Sequence, residues 1–182
     1  MGRDTFVTGN ENFFGDDDII VSKTDLKGRI TYANKVFLDI AGYSEREVLG
    51  QPHSMIRHPD MPRCIFKLLW DTLQSGSEIF AYVINRCKNG DHYWVYAHVT
   101  PSQKTDGEII GYHSNRRVPD RNILDAEIIP LYHKLRAVEQ AQNRKEGLEA
   151  SQSAVSAFLA ERALAYDEFI MTVGQKQRRG YR

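Results

Sequence analysis

Two hydrophobic patterns alternate along the first 118 residues. Period-two and β-branched runs predict strands, whereas apolar positions at helical spacing predict helices. Their order is two strands, three helices and three strands, and the short turns between neighbouring strands make the sheet antiparallel. The predicted strands are 19–22, 29–33, 79–85, 92–100 and 109–114. This order predicts an α+β fold, a five-stranded antiparallel sheet with helices on one side.

Polar and glycine residues mark the ends of the predicted helices. Asn34 can accept from the free N–H groups of the helix that follows it, and Gly42 can end that helix. Ser44 and Glu47 have capping-box spacing at the start of a second short helix. A longer helix begins at Arg63, and its apolar face carries Ile65, Phe66, Leu69, Trp70 and Leu73.

Only helical spacing is seen after Pro119. A heptad seam, interrupted by Pro130, is formed by Leu124, Ile128, Leu131, Leu135 and Val138. A second helix is predicted to place Leu148, Val155, Leu159, Tyr166 and Phe169 on one stripe. Apolar stripes outside a complete domain must be covered. These helices therefore fold back on the sheet, pair with each other or contact a second chain, and we favour a dimer or partner contact.

The pattern divides the chain into an N-terminal cap (1–16), a folded domain (17–118) and a C-terminal helical extension (119–182). In the cap, the large apolar groups are Phe6, Phe13 and Phe14. They either dock on the core or belong to a disordered segment.

Composition argues against several classes of protein. The 24 basic and 24 acidic residues balance, which argues against a nucleic-acid-binding protein. A basic cluster, expected to be a frayed terminus, is formed by Lys176, Arg178, Arg179 and Arg182. No run approaches about 18 apolar residues, and the start lacks a signal-peptide pattern, so a cytoplasmic protein is expected. Cys64 and Cys87 are too few for a metal site or a disulfide framework, which indicates a reducing compartment. Without a nucleophile–base set or a phosphate-binding loop, the sequence predicts no enzyme.

Residues 51–62 form an unusual segment with two histidines, an arginine, an aspartate and three prolines. Because each proline fixes φ and lacks an N–H donor, the segment is neither regular helix nor central strand. Ordered loops on a rigid scaffold commonly carry binding groups. His53, Arg57, His58 and Asp60 are therefore candidate binding residues.

Three segments resemble the motifs of PAS domains: 24–34 (TDLKGRITYAN), 42–50 (GYSEREVLG) and 85–95 (NRCKNGDHYWV). Within that superfamily, 56–62 (IRHPDMP) resembles the loop of the aerotaxis-receptor type. Those domains are sensors that hold FAD non-covalently and report redox state or oxygen to the chemotaxis machinery. The resemblance implies a stand-alone soluble PAS protein whose partner is a chemoreceptor or another signalling protein. It also suggests a homodimer formed through C-terminal or N-terminal helices.

The resemblance further implies which residues contact FAD: Arg57, His58, Asp60, Asn34, Trp70 and Asn85. An arginine fork suits the phosphates of the cofactor. Structural alternatives remain for several of these residues, namely an ion pair between Arg57 and Asp60, a loop-stabilising His58 and a core Trp70.

Two other functions remain open. Haem held by His53 or His58 is the alternative cofactor, and a cofactor-free interaction module is the alternative function. Photochemistry is not expected, because light-sensing flavin PAS domains have a cysteine where residues 50–53 read GQPH.

Overall fold

The computed structural model describes residues 6–173 and contains a five-stranded antiparallel sheet. The strands lie in the order β2-β1-β5-β4-β3. They are β1 (Ile20–Thr24), β2 (Ile30–Ala33), β3 (Ile79–Arg86), β4 (His92–Gln103) and β5 (Ile109–Arg117). The predicted α+β fold is confirmed. Each strand starts within one residue of its predicted position, but β4 and β5 run three residues further than predicted.

Three helices and a 3-10 turn connect β2 to β3. They are α1 (Lys35–Ala41), α2 (Glu45–Val48), the turn His53–Ile56 and α3 (Arg63–Gln74). Asn34 caps α1 by accepting from the Phe37 N–H at 3.0 Å, and Gly42 ends that helix with a φ of 73°. The Glu47 carboxylate forms its half of the predicted capping box by accepting from the Ser44 N–H at 2.9 Å, and it also accepts from the Ser44 hydroxyl at 2.8 Å. These local predictions are confirmed because each rests on a hydrogen bond within one turn of chain.

One face of the sheet is buried along its length. Alternate residues of paired strands share this face, since Asn85 lies opposite Tyr93 and Ala97 lies opposite Arg116. Tyr93 is completely buried. The face includes four buried polar residues, Ser22, Asn85, Ser114 and Arg116. Polar groups in a core require hydrogen-bond partners, so this face is a candidate functional site.

Strands β1 and β5 approach closely at Gly111. A Cβ atom at this position would lie 2.3 Å from the Thr24 carbonyl oxygen. Any larger residue would force the strands apart. Gly111 therefore supports the register in which Ile20 pairs with Arg116.

The N-terminal segment pairs through its backbone with the turn between β3 and β4. Thr8 donates its N–H to the Gly90 carbonyl, and Asn12 donates to the His92 carbonyl. Phe6 and Phe13 are 70% and 74% exposed, so these two aromatics do not dock on the core. Residues 6–19 contain no helix, so the suggested dimer contact through an N-terminal helix is not supported by this segment.

The chain divides into two compact units. The first contains the chain up to Pro59 together with Asp71–Pro119, and the second contains Asp60–Trp70 and the chain from Asp120 onward. Besides the first part of α3, the second unit contains α4 (Arg121–Ile123), a π turn (Leu124–Ile128), α5 (Ile129–Gln140), α6 (Arg144–Glu161) and α7 (Tyr166–Thr172). Between residues 6 and 173, no helix is long and apolar enough to cross a membrane. The basic cluster at 176–182 lies outside the described residues.

The buried face of α5 differs from the predicted heptad seam. Tyr132 and Glu139 are buried where the seam predicted Leu131 and Val138. Leu135 is buried as predicted, so the buried face of this region is formed by Ile128, Tyr132, Leu135 and Glu139. The π turn lies directly before Pro130, which cannot donate to the residue four positions earlier.

The second C-terminal helix is also revised. The predicted single stripe is divided between α6 and α7, with Ala163 between them at a φ of 50°. The buried positions of α6 are Gly147 and Ser151, whereas its large apolar residues Leu148, Val155 and Leu159 are only half-buried. A Cβ atom on Gly147 would lie 2.4 Å from the Glu139 carbonyl oxygen, so α5 and α6 approach through small residues.

Candidate functional site

Three polar side chains meet on the buried face of the sheet. Arg116 of β5 is 3% exposed, and its Nη2 donates to Ser22 Oγ at 2.5 Å and to His53 Nε2 at 2.7 Å. The guanidinium carbon of Arg116 lies 5.5 Å from the centre of the Phe37 ring. The cluster lies at the centre of the sheet, because β5 is the middle strand. Its residues come from β1, β5, α1 and the 3-10 turn.

Burial lowers the pKa of both ionisable groups in the cluster. It lowers the pKa of Arg116 to about 10, so the guanidinium remains charged at neutral pH. Burial and the charge of Arg116 together lower the pKa of His53 to about 3. His53 is therefore neutral, and its hydrogen is on Nδ1 because Nε2 accepts from Arg116. Within residues 6–173, no carboxylate forms an ion pair with Arg116.

Three donor atoms on this face are buried and have no hydrogen-bond partner in the described part of the chain. They are Arg116 Nη1, the Tyr93 hydroxyl and Asn85 Nδ2. Burial raises the pKa of Tyr93, so its hydroxyl keeps its proton and remains a donor. An unsatisfied buried polar group costs about 1–3 kcal/mol. Three such donors on one face make it a candidate binding site.

The loop at 51–62 is fastened to the strand that carries Asn85. Arg57 and Asn85 form an isolated antiparallel backbone bridge. Arg86 donates from Nη2 to the Met55 carbonyl at 3.4 Å. His58 is 3% exposed, and its ring centre lies 5.5 Å from that of His92. The loop and β3 thus hold Arg57, His58 and Asn85 in one connected region.

The other residues that the sequence suggested have different settings. The Oδ1 atom of Asn34 accepts from the Phe37 and Val21 N–H groups, both at 3.0 Å, and its Nδ2 donates to the Ile19 carbonyl at 2.7 Å. These bonds fasten α1 to β1 and leave one amide hydrogen of Asn34 for a ligand. Asp60 is exposed, Trp70 is half-buried, and both belong to the second unit.

The sequence pattern did not identify Ser22, Tyr93 or Arg116 as site residues. The predicted β5 ended at Ser114, so Arg116 lay outside it. Alternation places Arg116 on the same face of β5 as Tyr112 and Ser114, but the register of the sheet decides that this face is the buried one.

Comparison with known proteins identifies the class of this fold. Residues 30–116 match the family model described as the PAS fold. A light-oxygen-voltage domain studied with a flavin analogue superposes with a TM-score of 0.55 at 19% identity, over 64% of this chain and 87% of that domain. The light-state LOV structure of the blue-light photoreceptor Aureochrome1 gives 0.53 at 20% identity, over 65% and 91%. The chain contains a PAS domain.

Two curated relatives share this region. The aerotaxis receptor of Escherichia coli (strain K12) is 42% identical over 149 residues, which are 81% of this chain and 29% of the receptor. The nitrogen fixation regulatory protein of Klebsiella pneumoniae is 31% identical over 99 residues, which are 54% of this chain and 20% of that protein. The PAS domain is thus homologous to that of the aerotaxis receptor, and the chain spans less than a third of either relative.

Proposed function

We propose that this protein is a cytoplasmic sensor that binds FAD in its PAS domain and reports redox state or oxygen to a chemoreceptor or another signalling protein. The observation that carries the proposal is the set of buried, unpartnered donors on Asn85, Tyr93 and Arg116. The 42% identity to the aerotaxis receptor supports a sensor of the same type. A flavin is further supported by the similar fold of a light-oxygen-voltage domain that was studied with a flavin analogue.

The residues present fit a flavin. Its ring is flat and largely apolar, with carbonyl oxygens and nitrogens along one edge, and such a ring needs an apolar surface with a few donors. On the buried sheet face, Val83 and Val95 share a surface with the amide of Asn85, the phenol of Tyr93 and the guanidinium of Arg116. This combination matches both the apolar face of the ring and its accepting edge.

The loop residues suit the remainder of the cofactor. Arg57 provides a rigid fork of donors for the phosphates of FAD. The buried imidazole of His58 can reach either the cofactor or the loop backbone. Asp60 and Trp70 remain proposed contacts that only the resemblance implies.

A bound flavin supplies reversible electron transfer, with a change in charge and proton content. The protein responds to such a change through residues that already contact each other. Asn85 holds its amide on β3, and the backbone of the same residue is bridged to Arg57. A change in the hydrogen bonds of Asn85 therefore reaches the loop directly, and the loop is the two-state element that a sensor needs.

The alternatives are weaker on specific grounds. Haem could use His58, which is buried beside His92. His53 is less suited to a metal because its Nε2 already accepts from the positively charged Arg116. A cofactor-free module would leave the three buried donors unsatisfied.

We also infer that the protein signals by contact and has no catalysis of its own. Cys64 and Cys87 are free and buried, and burial raises the pKa of each to about 11, so neither is activated as a nucleophile. The half-buried Leu148, Val155 and Leu159 of α6 are the proposed contact with a second copy or a receptor. Sedimentation equilibrium of the full chain tests the homodimer: a mass of one chain at all concentrations contradicts it.

Absorption spectroscopy tests the cofactor. The full chain, as isolated and after incubation with FAD, should show bands at roughly 450 and 370 nm that bleach on reduction. A sharp Soret band would replace the flavin proposal with haem at His58. A featureless spectrum after incubation with both cofactors would leave the docking module.

Substitution of Arg57 tests the phosphate contact. Arg57→Ala should weaken FAD binding about tenfold but leave binding of riboflavin, which lacks phosphates, almost unchanged, because charge-assisted hydrogen bonds contribute about 1.5–3 kcal/mol. The matched control is Arg46→Ala, which removes an exposed arginine on α2. Full FAD affinity in Arg57→Ala contradicts the assignment.

A further inference from the structure

Glu139 of α5 is a fully buried carboxylate at the meeting point of three helices. Its Oε1 atom accepts from the Cys64 N–H in the first turn of α3 and from the Ser151 hydroxyl of α6. Its Oε2 atom accepts from the side chains of Arg63 and Arg136. One acidic side chain therefore joins α3, α5 and α6.

Glu139 caps α3 from a distant position in the chain. The residue before Arg63 is Pro62, which has no side-chain acceptor for the free N–H groups of the first turn. The Glu139 carboxylate accepts from one of these groups, that of Cys64, and its negative charge lies at the positive end of the helix. A cap normally comes from the residue that precedes the helix. Here part of the cap is supplied by a residue 75 positions after Cys64.

Arg63 fastens the same helix start to the region where α5 passes into α6. Its Nη1 donates to the Arg144 carbonyl at 2.6 Å, and its Nη2 donates to the Glu139 carbonyl at 3.4 Å. Gly147 lies against the Glu139 carbonyl, which leaves no room for a Cβ atom. The first turn of α3, the end of α5 and the start of α6 thus form one hydrogen-bonded junction.

The loop at 51–62 leads directly into this junction. Arg57 is bridged through its backbone to Asn85, and only five residues separate Arg57 from Arg63. Two of these five are prolines, whose fixed φ makes the connection stiff. A displacement of the loop is therefore transmitted to the first turn of α3.

We propose that Glu139 is a positioning residue for the loop and couples the loop to α5 and α6. While the junction is closed, Glu139 holds the first turn of α3 and, through it, the loop. When the junction opens, the loop and the two helices are released together. The inference deepens the proposed sensor function, on which its signalling role rests, because it connects the binding site with the helices that are proposed to contact a partner.

Hydrogen exchange of the cofactor-free full chain tests this coupling without a ligand. In Glu139→Gln, either orientation of the amide turns its NH₂ group toward a donor of the first turn of α3, Arg63 Nε or the Cys64 N–H. The loop amides of Met55 and Arg57 should then exchange about tenfold faster, within the roughly 5–150-fold range of couplings between sites. A role confined to the C-terminal helices would accelerate exchange in α5 and α6 only.

The matched control is Glu149→Gln, which makes the same chemical change at a side chain of α6 that is 63% exposed. It should leave exchange in the loop unchanged. Amides of β4 report general destabilisation of the sheet. Loop exchange in Glu139→Gln that stays at the wild-type rate, or that rises no more than exchange in β4, overturns the inference. An unfolded Glu139→Gln protein assigns Glu139 to folding alone and also overturns it.

FAD tests the same coupling from the binding site. Because coupling is reciprocal, FAD should slow exchange in α5 and α6 of the wild-type chain, and Glu139→Gln should weaken FAD binding about tenfold while Glu149→Gln does not. Bound FAD that leaves exchange in α5 and α6 unchanged, or full FAD affinity in Glu139→Gln, contradicts the coupling. A wild-type chain that binds no FAD overturns the proposed function instead, and exchange of the cofactor-free chain still decides the role of Glu139.

Discussion

Replacement of Glu139 by glutamine should destabilise the second unit. The side chain is fully buried. Its Oε1 accepts from the Cys64 N–H at 3.0 Å and from Ser151 Oγ at 3.1 Å, and its Oε2 accepts from Arg63 Nε at 3.1 Å and from Arg136 Nη1 at 3.3 Å. All four neighbours donate. The amide of glutamine has only one accepting atom, so in either orientation its NH₂ group faces two donors.

The magnitude follows from the bonds that are lost. If the amide oxygen keeps Cys64 and Ser151, two charge-assisted bonds to Arg63 and Arg136 disappear, each contributing about 1.5–3 kcal/mol. The side chains of Arg63 and Arg136 are 23% and 21% exposed and can regain water, so the lower value applies. The expected loss is about 3 kcal/mol. For a chain of this size it lowers the melting temperature by about 6–12 °C.

Urea denaturation of the full chain, followed by far-UV circular dichroism, measures this loss. The control is Glu149→Gln, whose side chain is 63% exposed and lies 3.9 Å from Lys145 in α6. It should change the free energy of unfolding by no more than about 0.5 kcal/mol. Equal losses in the two variants would refute the reasoning.

The pH dependence provides a second check. Burial alone would raise the pKa of Glu139, but hydrogen bonds from the Cys64 N–H, Arg63 and Ser151 outweigh it and lower the pKa. The stabilisation is therefore complete above the unfolded-state pKa of about 4.3 and is lost as the pH falls through the lower folded-state value. The gap between wild type and Glu139→Gln should narrow on acidification, and a widening gap would contradict this assignment.

Two further substitutions test other contacts. Asn34→Ala removes the cap of α1, one bond to β1 and one bond to Ile19, so it should cost about 2–3 kcal/mol. Asn143→Ala removes only the cap of α6 and should cost about 1 kcal/mol. Equal losses in urea denaturation would contradict a contribution from the bonds outside the helix. His53→Gln should flatten the pH dependence of stability. The pKa of His53 is about 3 in the folded state and about 6.5 in the unfolded state. Its neutral form therefore contributes fully to the stability of the fold above about pH 6.5. Below that pH the free energy of unfolding falls by up to about 1.4 kcal/mol per pH unit. Unfolding at pH 7 and pH 5 measures this difference, and equal slopes for wild type and variant would exclude it.

Much of the sheet and its connecting helices could be predicted because their ends depend on neighbouring residues. Asn34, Gly42 and the capping box at Ser44 act within one turn of their own helices. Hairpin turns likewise specify which strands are neighbours. The loop at 51–62 could be recognised as irregular because its prolines exclude regular structure wherever it lies.

The C-terminal helices were less predictable because their packing depends on distant residues. A glutamate on a helix normally faces solvent, yet Glu139 is buried by Arg63, which lies 76 positions earlier in the chain. On α5, Tyr132 and Glu139 are buried in place of the predicted Leu131 and Val138, whereas Leu135 is buried as predicted. Periodicity alone does not show which of two neighbouring positions is buried.

The two arginines that end β5 show why the candidate site needed the structure. Alternation places Arg116 and Arg117 on opposite faces, but it does not say which of them enters the core. That choice is made by register, since Arg116 pairs with Ile20 on β1 and with Ala97 on β4, both inward-facing. The inward arginine then conflicts with its apolar surroundings. Natural sequences retain such conflicts mainly at functional sites, so an uncompensated charge at a register-determined position indicates a ligand more directly than the family motifs do.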